Sequence, residues 1–96
     1  MQIYHNGSNS FIQDSGTGDL IVRSNVVGIQ NAAGTENMAV FTENAAVKLY
    51  YDDSQKFETT SSGVHITGNV ELASGTTLFG MDTLRLVNGS NSRNLS

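Results

Sequence analysis

The sequence predicts an all-β chain, elongated and built from repeats of short strands, and three observations carry that expectation. Ser, Thr, Asn and Gly supply 40 of the 96 residues, and these types favour turns, caps and strands over helix interiors. Apolar residues recur two apart in short patches, which is the period of a strand with one buried and one wet face. The chain also restates itself at a period of roughly 40 to 46 residues, and self-similarity at such a period marks repeat architectures. Proline is absent, which suits continuous ladders because proline has no N–H to donate. Such polarity is also a mark of disorder, but a quarter of the residues are Ile, Leu, Val or Phe, and they recur regularly.

Taken in order, the patches read as strands separated by turn signals. Ile3-Tyr4 leads into Asn6-Gly7, the dipeptide that most favours a primed hairpin turn because both residues accept positive φ. Phe11-Ile12 follows, then a break at Gly16-Thr17-Gly18 and a strand expected at Leu20 to Val22. Val26 to Ile29 precedes a break at Ala33-Gly34, and Met38 to Phe41 and Val47 to Tyr51 come next, the latter ending at Asp52-Asp53-Ser54. Phe57, Val64-His65-Ile66, Val70-Glu71-Leu72 and Leu78-Phe79 are separated by Ser62-Gly63, Thr67-Gly68-Asn69 and Ser74-Gly75. Leu84-Arg85-Leu86 precedes a second Asn-Gly at Asn88-Gly89. No window sustains a helical stripe over three turns.

The repeats organise these patches. Residues 3–11 read IYHNGSNSF and residues 49–57 read LYYDDSQKF, so Tyr4 aligns with Tyr50 and Phe11 with Phe57. Residues 14–25 (DSGTGDLIVRSN) resemble residues 60–69 (TSSGVHITGN) once two residues are removed, and residues 88–92 repeat NGSNS of residues 6–10. The expected organisation is one segment, 1–96, of about two repeats (roughly 1–46 and 47–83) with a partial third at 84–96. It reads as a piece of a longer repetitive protein, with Met1 an added start residue.

Composition bounds the function. Without cysteine there is neither a disulfide framework nor a thiolate metal site. The apolar runs fall far short of the roughly 20 residues of a membrane-spanning helix, so membrane insertion is not expected. The five cations, Arg23, Lys48, Lys56, Arg85 and Arg93, are scattered in a chain of net charge −4. Nucleic-acid binding needs clustered cations to neutralise phosphates, so it is not expected either. A chain this small buries about 60 to 70 per cent of its unfolded surface at best, and each short strand has too few apolar residues for a core. Stacking of repeats and association of chains are the ways to cover such faces and edges.

The strings IYHNGSNSFI, NGSNS, KLYYDDSQKFETTSSGVHITGN and VELASGTTL resemble repeats in tail-fibre proteins of tailed bacteriophages, especially phages of marine and cyanobacterial hosts. In that family the pattern runs approximately L-x-I-Y-H-D-G-S-N-S-Y-I and later L-Y-Y-D-N-S-x-K-F-E-T-T-x-x-G-V-x-V-T-G. The match covers most of residues 2–72 and the partial copy at 84–92; Asn6 stands where the family usually has Asp, and Met81 to Arg85 has no counterpart in the pattern. The resemblance implies a virion component and a homotrimer, three chains wound about one axis as an intertwined triple β-helix or β-prism. It implies a shaft segment that joins other fibre segments and spaces or presents a tip for a host cell-surface glycan or protein. The rival reading is a stand-alone carbohydrate-binding or adhesin β-module, which would not need an internal repeat.

Candidate chemistry is thin, and no catalytic, cofactor or metal residue is assigned. In a three-fold fibre a histidine on the axis, His5 or His65, is presented three times and three imidazoles can hold one divalent metal, but no His-x-His spacing supports it, and a turn-side and a wet-face position account for them. Asp52-Asp53-Ser54 lacks the alternating acids and distal Glu of a calcium loop and reads as a turn whose side chains bond their own backbone. A Gly-x-Ser-x-Gly elbow is missing, and scattered acids do not define a glycosidase pair, so the chain is not expected to be an enzyme. Phe11 and Phe57, at one repeat position, are expected in the core, with Tyr51 the aromatic least expected there. The triplets at Asn6, Asn88 and Asn94 fit the glycosylation pattern by chance in so Asn- and Ser-rich a chain.

Overall fold

The computed structural model describes residues 1–83, 85–88 and 91–94. Every described ladder is antiparallel and joins strands adjacent in sequence, and among the described residues there is no helix. Strands β1 (Gln2–His5) and β2 (Ser10–Gln13) form a hairpin. Strands β3 (Val26–Gln30), β4 (Asn37–Thr42), β5 (Val47–Tyr51), β6 (Ser54–Thr60) and β7 (Gly63–Ile66) form a five-stranded meander in sequence order. Strands β8 (Arg85–Asn88) and β9 (Asn91–Asn94) form a last hairpin. The all-β expectation therefore holds, and the molecule is extended, 56 × 33 × 30 Å with a radius of gyration of 19.2 Å. A compact chain of this length would have a radius of about 12.5 Å.

The turns show which local chemistry sets each hairpin. At residues 6–9 the expected two-residue primed turn is replaced by a four-residue loop in which only Gly7 has positive φ, +96°. The Asn6 side chain explains the difference: its Oδ1 accepts the Ser8 and Asn9 backbone N–H groups at 2.9 and 2.8 Å. That local bonding competes with the primed geometry that Asn-Gly otherwise favours. The geometry expected there occurs instead at Asp52-Asp53, with φ of +48° and +65°, between the paired residues Tyr51 and Ser54. Asx-type bonding expected of those aspartates is not seen; the turn is set by backbone conformation. At residues 31–36, Asn31 repeats the role of Asn6, its Oδ1 accepting from Thr35 and Glu36 N–H at 2.9 and 3.0 Å.

The repeated strings fold as hairpins in two registers. In β1–β2, Tyr4 faces Phe11 and His5 faces Ser10. The NGSNS copy in β8–β9 keeps that register, with Val87 facing Ser92 and Asn88 facing Asn91; the expected turn at Asn88-Gly89 involves Gly89, outside the described residues. In β5–β6 the tighter turn and a bulge between Leu49 and Tyr50 set Phe57 opposite Leu49 instead. Phe11 and Phe57 therefore do not pack alike, contrary to their alignment. Phe11 stacks on Tyr4, ring centroids 4.9 Å apart at 21°, whereas Phe57 lies between Leu49 and Ile66.

Three expected strands are not formed. Leu20 to Val22, Val70 to Leu72 and Leu78-Phe79 have no ladder partner among the described residues, and Leu84 lies outside them. Thr60 and Gly63 close a two-residue turn that lays β7 on β6. The corresponding connection after β2 is two residues longer, and Asp14 opens it with an Oδ1 bond to Gly16 N–H at 3.2 Å, so no third strand returns to the first hairpin.

Candidate functional site

The most distinctive surface of the molecule is one face of the meander. Directly opposed residues on neighbouring strands share a face, and the register runs Ile29–Ala39–Leu49–Phe57–Ile66 across all five strands. A second row on that face runs Val27–Phe41–Val47 and continues through Thr59, whose Oγ1 accepts the Val47 N–H at 2.9 Å, to Val64. Neither row carries a charge. On the opposite face the central row runs Gly28–Val40–Lys48–Glu58–His65, with a Lys48–Glu58 ion pair at 3.8 Å. Alternation along each strand thus sorts the sheet into an apolar and a polar face.

Among the described residues, no strand packs over the apolar face. Ala39 alone is buried among the described residues, as a small side chain between Ile29 and Leu49. Ile29, Leu49 and Ile66 remain 45, 42 and 39% exposed. The core expected at Phe11 and Phe57 is absent from the single chain: both are half-buried, and Tyr51 and Phe79 are largely exposed. Val22 and Arg23 approach one end of the face, where an open groove of about 380 Å³ is lined with Val27, Phe41 and Val47.

The other sequence candidates are not brought together. His5 Nδ1 lies 3.0 Å from Ser10 Oγ, while His65 stands across from Glu58 on the polar face. Among the described residues no three His, Cys, Asp or Glu side chains cluster as metal ligands. The apolar row itself was only half legible: each strand shows which residues share a face, but Ala39 joins the row through strand register, which the sequence does not display.

No protein-family model matches this chain, and neither a curated protein nor a solved structure matches it significantly.

Proposed function

We propose that this chain is a shaft segment of a phage tail fibre, a virion component in which three copies associate along one axis as an intertwined or prism-like β assembly. The shaft spaces or presents a tip that engages the host surface, and the chain performs no catalysis. One observation supports this reading above the others: the fold leaves its apolar residues uncovered. The chain exposes 8585 Å², whereas a compact protein of 10.3 kDa exposes about 5,400 Å². A single binding module must be stable alone, and burial of one alanine does not offset the ordering of some ninety residues. A shaft segment has no such requirement, because neighbouring chains complete it. The hairpins at three copies of one motif and the 56 Å long dimension also suit a spacer.

Sedimentation equilibrium with circular dichroism tests the proposal. A β-rich species of three times 10.3 kDa is the expected result. A stable, cooperatively folded monomer overturns it and favours the adhesin module.

A further inference from the structure

We infer that the apolar face of the β3–β7 meander is the surface on which copies of this chain meet, the faces of the three copies turned inward toward their common axis, with the Lys48–Glu58–His65 row turned to solvent. This rests on the self-association proposed above and goes beyond it by naming the surface.

The occupant follows from charge and shape. The two rows across five strands make an exposed apolar patch on the order of a few hundred Å², the size that marks a protein–protein contact. A face of five strands spans about 19 Å at the usual strand spacing, and sheets with one apolar side bury it by packing face to face. The chain's net charge of −4 opposes self-association through charged surfaces. The two rows through Ile29 and Val27 carry no charge, and the charges at the groove on their margin, Arg23 and Glu43, are of opposite sign, so identical copies can approach there without a surplus of like charge. The opposite face carries Lys48, Glu58 and His65, and covering it would cost the desolvation of charged side chains.

Because the chain has no cysteine, one introduced thiol reports on one position. Leu49→Cys places it in the apolar row and Val26→Cys on the other face, at sites 42 and 51% exposed in the single chain. The expected result is maleimide labelling slower by about ten-fold or more at position 49 than at 26, as a covered thiol requires, with labelling equalised when the assembly is dissociated. A second variant, Leu49→Glu, should shift the sedimented mass to the monomer, while Val26→Glu should not. Equal labelling of the two thiols in an assembled wild-type-mass complex overturns this inference and leaves the shaft proposal standing. A wild-type monomer that labels rapidly at both sites overturns both.

Discussion

Truncating Phe57 separates a bare sheet from a covered one by magnitude. In the single chain Phe57 is half-buried and touches the row through its cross-strand neighbours Leu49 and Ile66. Cross-strand pairs contribute about 0.2 to 1 kcal/mol each, so two such pairs put the loss from Phe57→Ala at no more than about 2 kcal/mol. If a second sheet packs on the row, Phe57 becomes a core side chain, whose truncation costs about 3 to 5 kcal/mol. With one substitution in each of three chains the assembly would lose about 9 to 15 kcal/mol, enough to dissociate it. The assay is thermal melting followed by circular dichroism over a hundredfold range of protein concentration, with mass measured below the transition. The expected outcome is a concentration-dependent wild-type Tm and a variant that sediments as monomer. A loss below about 2 kcal/mol with unchanged mass would refute the assignment of Phe57 to a covered face.

Three further outcomes test the turns. Asp53→Val should lower stability by about 1 to 3 kcal/mol, because a β-branched residue is strained at a φ of +65°, whereas Asp53→Gly should be neutral or better; urea melts of both variants decide it. Asn6→Asp, the residue usual in the resembling family, keeps both N–H bonds and should leave the melt unchanged, while Asn6→Ala should cost about 1 kcal/mol; equal effects would remove the loop role of Oδ1. Gly7→Val meets open space but a φ of +96°, so it should destabilise; full stability with lost adsorption to host cells would instead mark the loop as a receptor contact.

Alternation made β5 and β7 legible, since Val47, Leu49, Val64 and Ile66 show their shared face directly, while β3 and β4 stood out only as short apolar patches between turn signals. The same signal marked Val70 and Leu72, which pair with no strand among the described residues. Alternation reports that a segment can be a strand; only a partner edge makes it one. Asn6-Gly7 and Asp52-Asp53 illustrate the second limit. Both pairs suit positive φ, but the Asn6 amide oxygen captured two nearby N–H groups, and side-chain bonding outweighed dipeptide preference. Register was the third limit, because the two-residue turn at Asp52-Asp53, only partly offset by the bulge at Leu49, sets Phe57 away from the place its repeat copy holds.

Because each ladder joins strands that are neighbours in sequence, across connections of two to six residues, no long loop must close before hairpins form. Hairpins of this kind form in about 1 to 10 μs, and local topology favours fast folding in general. For a shaft completed by other copies, the slow event in refolding is therefore encounter between chains. Its rate rises with protein concentration, and dilute refolding strands the chain as separate hairpins with the Leu20–Val22 and Val70–Leu72 segments open to the wrong neighbour. Recovery of the fibre is then a competition between partners, decided by how many copies are present when each hairpin closes.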